Sequence, residues 1–495
     1  MNGDSEQKNK NIDARIVKRY VLKGTVKLES PLLIGGGEGN AFIDINILKD
    51  SNGNPIIPGT SLAGVLLSMS DKKYKIFFGK MKKKKSDDMS QAENRNQERL
   101  PETQSMLSID DITLEKCDIT LRDGVKINHE TGVAEDKYKF DYEAVERGAE
   151  GRFNIVLTIR KKHFEDYAED ADTFMKDLAV TLENGIFVGA HTTKGFGKIK
   201  AEEICLNVYD YSKIADIKAW LLDKDCGTIT EFDRNVKNNE EDSFSVEAEF
   251  LLNNSLIVRT SNFDEKDYGD VFTEKDNITA AQLLSNGDYA IPGASVRGVI
   301  CQRAKEIMKM SGKSGYEEAL KSLFGFASEN KKEKGYSGKK SRLVVEECYI
   351  SRSNGSVRHF KQTRNRIDRF TGGTINSALM QNIPVWKKSA NADKPLKLSF
   401  HINNCRPWEA GLMLFVLKDL WTGMVAFGGE KSIGRGTLKG IKATINLGQK
   451  KIVMTEENGK INVSDNSMPE LENLAKAFAD ETTFVVAEEQ GKVAK

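Results

Sequence analysis

Two glycine-rich stretches hold the residue types best suited to an anion, "GAHTTKGFGKIK" from Gly189 and "FGGEKSIGRGTLK" from Phe427. Glycine has no Cβ, so the chain at Gly195, Gly197, Gly434 and Gly436 can bring backbone N–H groups close to a phosphate. Lys194, Lys198, Lys431 and Arg435 stand beside them as cations. A tight turn feeding a strand explains the same glycines without any ligand, and both readings stay open. Other chemistries have less support. Cys117, Cys205, Cys226, Cys301, Cys348 and Cys405 include no CxxC pair and no Cys/His spacing for zinc, which leaves thiols in a reducing compartment. His129, His163, His191, His359 and His401 form no evident acid–base pair.

The elements that must position these loops occur twice. Residues 54–68 read "NPIIPGTSLAGVLLS" and residues 288–302 read "DYAIPGASVRGVICQ", so Pro58, Gly59, Ser61 and Gly64 repeat as Pro292, Gly293, Ser295 and Gly298. Apolar residues at helical spacing follow each turn, and Ser61 and Ser295 are expected as N-caps. An apolar-Phe-Gly ends each helical region, "IFFG" and "SLFG". Then "SMLSIDDITL" matches "SRLVVEECYI", Thr-Gly turns match in "HETGVAED" and "DRFTGGTI", and "RFNIVLTIR" matches "KLSFHINN". Each half opens on an alternating strand, "RYVLKGTVKLES" or "SFSVEAEFLL", and carries a late helix before its glycine loop. The order is kept while the offset drifts, which is the mark of one duplicated domain with loop insertions. Strand, helix, strands, helix, strand predicts an α+β, ferredoxin-like sheet with both helices on one face. The expected boundaries are an N-terminal extension 1–19, domains 20–205 and 244–446, a connector 206–243, and a tail 447–495 with a hairpin and a helix.

The length of 495 residues favours two large domains. Hydrophobic residues at 39% and charged residues at 30% exclude a disordered chain, and no apolar run reaches the ~20 residues of a membrane helix. The polar N-terminus lacks a signal-peptide core, so a cytoplasmic location is expected. Net charge is only +1, but it averages over basic clusters in "DKKYKIFFGKMKKKKSDD", "ENKKEKGYSGKKSR" and "RHFKQTRNRIDR" and over acidic stretches such as "NNEED".

Taken together, "LLIGGGEGNAFIDINILKDSNGNPIIPGTSLAGV", "SMLSIDDITL" and "GAHTTKGFGK", repeated as "NGDYAIPGASVRGVI", "SLFGF", "SRLVVEECYI", "RIDRFTGGT" and "GGEKSIGRG", resemble the RAMP superfamily of CRISPR systems. Within it they look most like the tandem double-domain backbone subunit of type III, III-D-like, effector complexes. No single motif is specific; six in family order, twice, are.

The resemblance implies two modified ferredoxin-like (RRM-like) RAMP domains with inserted loops and hairpin thumbs. It implies a guide RNA, a complementary target RNA and neighbouring effector subunits as partners, with no membrane. In this family the Asp on the loop before the Pro-Gly turn carries target-RNA cleavage with Mg²⁺ (or Mn²⁺), and the matching residue is Asp44. Without the family, Asp44 beside "GGGEGN" reads as a turn cap. In the second copy Asp264, Asp267, Asp270 and Asp276 compete. Distance to the Pro-Gly turn selects Asp276, 16 residues before Pro292 against 14 for Asp44 before Pro58. The resemblance also places Arg297 toward the guide, with Ala63 in its place in the first copy, and Arg364, Arg366 and Arg369 at the start of the second thumb. Lys126, Lys137 and Lys139 are their nearest equivalents in the first. Phe360 and Phe370 are expected in the core rather than stacked on bases. The alternatives are a non-catalytic guide-RNA binder, a metal-independent guide-processing nuclease and a small-molecule sensor.

Overall fold

The computed structural model describes residues 14–37, 43–79, 104–128, 131–232, 243–271, 277–326, 338–388, 394–464 and 467–481. The first repeat consists of β1 (Ile16–Leu28), α1 (Gly59–Met69), β2 (Leu107–Ile109), β3 (Ile119–Ile127), β4 (Ala134–Val145), β5 (Glu150–Arg160), α2 (Lys161–Asn184), β6 (Lys198–Asp210) and α3 (Ile214–Leu221). Its sheet runs β2-β5-β1-β6 with a short edge strand, Ile186–Phe187, all antiparallel. Alternation does the work on β5: Phe153, Ile155, Leu157 and Ile159 are buried, and the residues between them face outward. Leu62 and Leu66 of α1 and Phe174, Met175 and Leu178 of α2 close the same core. Burying each such side chain contributes about 1.5–3 kcal/mol.

The second repeat consists of β7 (Phe244–Leu252), β8 (Ile278–Gln282), α4 (Gly293–Met310), α5 (Tyr316–Phe324), β9 (Leu343–Val345), β10 (Gln362–Arg364), β11 (Met380–Ile383), β12 (Leu396–Ile402), α6 (Pro407–Trp421) and β13 (Leu438–Leu447). Its sheet order, β9-β12-β7-β13, repeats β2-β5-β1-β6. The tail extends this sheet with β14 (Lys450–Glu457) and β15 (Lys460–Val463), joined by a turn with Asn458 and Gly459 both at positive φ. Finally α7 (Met468–Asp480) packs on α6, where Gly411 admits the Leu474 backbone.

One local expectation is corrected. Ser61 and Ser295 are not N-caps: the helices begin two residues earlier, at Gly59 and Gly293, with Pro58 and Pro292 in the cap position. A proline side chain has no atom to accept a helix N–H, and the first helix takes its acceptor from afar. Gly59 N–H donates to Asp111 Oδ1 at 2.7 Å.

Among the described residues no sheet takes strands from both repeats, yet the repeats are joined by a polar seam. Arg122 of β3 is buried between Glu146 (2.8 Å) of its own repeat and Glu347 (2.9 Å) of the other. Arg147 pairs with Asp288 at 2.6 Å and lies 3.9 Å over the Tyr349 ring, and Lys198 reaches Glu346 at 3.1 Å. Glycines set the closeness of the contact. A Cβ on Gly293 would stand 2.1 Å from the Lys194 carbonyl, and one on Gly195 would stand 2.7 Å from the Glu347 nitrogen.

Candidate nucleic-acid interface

Asp44 is exposed at the root of the β3–β4 hairpin. Its N–H donates to the Asp141 carbonyl at 3.0 Å and its Oδ2 accepts the Asp141 N–H at 2.8 Å, so the carboxylate is fixed to β4 from both sides. Asp141 faces Asp123 across the hairpin. Burial and a hydrogen bond with Asp123 push the Asp141 carboxyl above the usual carboxylate range, and Asp44 adds to the shift. Asp123 is held from the second repeat, accepting Asn262 Nδ2 at 3.1 Å and Ser261 Oγ at 3.3 Å. Sequence reading missed Asp123 and Asp141, because neither lies near the Pro-Gly turn in the chain. Among the described residues no three His, Cys, Asp or Glu side chains gather closely enough to hold a metal ion. Hydrated Mg²⁺ or Mn²⁺ would here have to be held by one or two carboxylates, Asp44 among them, with water and RNA oxygens completing its shell.

Both hairpins expose apolar side chains away from the core. On the first, Val125, Ile127, Val133 and Tyr138 are exposed, with the Lys126 ammonium 4.6 Å above the Tyr138 ring and 2.7 Å from Glu135. Lys139 lies 3.7 Å from Asp123, and the Lys137 side chain falls outside the described residues. On the second, Ile367, Phe370, Ile375 and Leu379 are exposed. The expectation for the aromatics is corrected here: Phe370 is fully exposed and Phe360 half-exposed, so neither is a core residue. The Phe370 turn is built by Asp368, whose Oδ1 accepts the N–H groups of Phe370 (2.7 Å) and Thr371 (3.0 Å). Arg366 and Arg369 are exposed beside it.

The two glycine loops share a backbone and differ in their surroundings. His191 and Glu430 both sit in the left-handed region (φ 59° and 60°), as do Gly195 and Gly434, and Gly197 and Gly436. Gly197 and Gly436 are dictated by their own turns, since a Cβ would meet the Val188 or Phe427 carbonyl within 2 Å. In the first loop, Gly195 and Lys194 are covered by the second repeat and Lys198 is paired with Glu346 and Glu29. Burial pushes His191 down to about 4 and lowers Lys194. The second loop is open: Lys431 and Gly434 are exposed, and a Cβ on Gly434 would meet nothing.

Behind that open loop lies a cluster no single motif announces. Glu430 accepts Arg259 (2.9 Å) and Asn382 (2.6 Å) as well as Arg364 on Oε1, and Arg435 Nε at 2.7 Å on Oε2. Burial opposes its charge, but the arginines outweigh that and hold Glu430 below the usual carboxylate range. Arg435 is only 2% exposed and also donates to Gln362, while its Nη1 has no acceptor. Arg297 is engaged locally, donating to Ser341 Oγ at 2.8 Å, to the Leu343 carbonyl at 3.2 Å and to the Phe324 carbonyl. Asp276 lies outside the described residues. Asp267 and Asp270 belong to the 3₁₀ segment Glu265–Val271, and Asp264 directly precedes it, its Oδ1 accepting the Lys266 N–H at 2.9 Å.

No described helix is long and apolar enough to cross a membrane. No curated protein matches the sequence. The family profile described as the RAMP superfamily matches residues 25–200 and again residues 268–439, one match on each repeat. Each match contains one Pro-Gly turn and one left-handed glycine loop, and the chain belongs to the RAMP superfamily, of CRISPR-associated RNA-binding proteins, as a tandem pair of its domains.

Proposed function

We propose that this chain is a guide-RNA-binding backbone subunit of a type III, III-D-like, CRISPR effector complex and that it cuts complementary target RNA at Asp44. The observation carrying this reading is the placement of Asp44, an exposed carboxylate fixed at the root of a hairpin that exposes Val125, Ile127, Val133 and Tyr138. A wedge of that kind can displace a nucleotide and bend the target strand. The bend brings a ribose 2′-hydroxyl in line with its own phosphorus. The 2′-oxygen attacks phosphorus, the bond to the 5′-oxygen breaks, and Asp44 takes the hydroxyl proton while water protonates the leaving oxygen. Mg²⁺, when bound, supplies neutralisation of the phosphate charge. DNA lacks the nucleophile and is not cut this way.

Guide binding in this reading uses the open loop at Lys431 and Gly434 and the exposed Arg366 and Arg369. Neighbouring subunits are expected at the faces left open by the internal contact. The first repeat's glycine loop rests on the second repeat's Pro-Gly turn, a head-to-tail arrangement that does not close on itself. The test is the complex purified with its guide RNA and offered complementary RNA and Mg²⁺. Discrete cleavage lost in D44N supports the reading; intact RNA with wild-type protein leaves a structural guide binder.

A further inference from the structure

We infer that each chain cuts its target once, at the first repeat, and that the second repeat positions RNA without cutting; this rests on the Asp44 reading above. The strand pairing fixes which residues correspond, independently of sequence counting. Three bridges of the first repeat recur in the second. Leu32 opposite Val145 recurs as Leu256 opposite Val385, Gly35 opposite Ile47 as Arg259 opposite Gln282, and Ile45 beside Tyr142 as Ala280 beside Asn382. The first two pairs are antiparallel and the third is parallel in both repeats. A further hydrogen bond agrees: Leu48 N–H donates to the Ile34 carbonyl, and Leu283 N–H to that of Val258.

With Ile45 on Ala280, the next residue back, at the place of Asp44, is Thr279, exposed as Asp44 is; it bulges from the pairing, which puts Ile278 opposite Gln381, and neither residue carries a carboxylate. Counting from the Pro-Gly turn gives a different answer: Leu283–Pro292 is one residue shorter than Leu48–Pro58, so the same count falls on Ile278, and Asp276 is only the aspartate nearest to it. The neighbours change in the same direction. Tyr142 on Asn382 puts Gln381 at the place of Asp141, and the hairpin register puts Thr363 at that of Asp123. Three carboxylates around the first hairpin root are thus replaced by two hydroxyls and an amide around the second. None of these accepts a proton at neutral pH or binds Mg²⁺ as a carboxylate does. The second repeat keeps the parts that grip, namely its exposed hairpin, its open glycine loop and its arginines, and among the described residues carries no carboxylate at the place of Asp44.

The experiment maps cleavage of end-labelled complementary RNA by the purified effector complex in Mg²⁺, comparing wild type with D44N, T279A and D276A. The expected result is one cut that depends on this chain, reduced a hundredfold or more in D44N and unchanged in T279A and D276A. A second cut that survives D44N and disappears in D276A or T279A overturns the inference and leaves the Asp44 reading standing. Intact RNA with the wild-type complex removes both.

Discussion

At the residue scale, chemistry depends on where a side chain is held rather than on its type. Asp44 shares its type with Asp264 and Asp267, yet only Asp44 is tied to the hairpin root. D44N keeps the acceptor for the Asp141 N–H and removes the charge, so target cleavage is expected to fall about a hundredfold or more while guide affinity, measured by filter binding, holds. His191 gives a second residue-level expectation. The folded state keeps it neutral down to about 4, whereas an unfolded chain takes up the proton near 6.5. Its contribution is therefore complete above pH 6.5 and lost as pH falls toward 4, about 3 kcal/mol at most. Urea unfolding at pH 7 and pH 5 should show H191N losing less stability on acidification than wild type. Equal losses in the two proteins would contradict it.

At the scale of elements, the framework was legible in the sequence because periodicity and turn chemistry carry it. The alternating strands, the Pro-Gly turns, the late helices and the Asn458–Gly459 hairpin all fall where their patterns place them. The helix starts were not legible, since Gly59 draws its acceptor from Asp111, far along the chain. Phe370 was misplaced for a related reason: a lone aromatic has no periodic mark, and a turn built by Asp368 decides its exposure. Nor did any pattern announce that one glutamate would collect three arginines. E430A leaves Arg259, Arg364 and Arg435 facing one another, and a loss of about 3–5 kcal/mol is expected in chemical denaturation. The exposed Arg366 and Arg369 belong to another class. Replacing either with alanine should leave stability within about 0.5 kcal/mol and reduce the slope of log affinity for guide RNA against log salt by about 1.

At the scale of the whole molecule, duplication has made two copies whose corresponding faces meet different fates. The first glycine loop is spent on the second repeat, through Gly195 and Gly293, while its counterpart around Gly434 stays open. The buried Arg122 between Glu146 and Glu347 ties the repeats into one unit. R122A would leave two buried carboxylates without their cation, costing about 3–5 kcal/mol and splitting one calorimetric transition into two as the repeats unfold separately. A single undisturbed transition would show that the seam does not couple them. The same asymmetry separates a repeat that carries Asp44 from one that carries Thr279 in its place.

The most direct measurement is an image of the particle assembled on guide and target RNA, resolved well enough to place side chains. The expected result is Asp44 beside a target linkage unstacked by the tip that carries Val133 and Tyr138, with Phe370 at the next displaced nucleotide and Thr279 near it. RNA running along a face remote from both hairpins, with Asp44 open to solvent, would contradict the central claim.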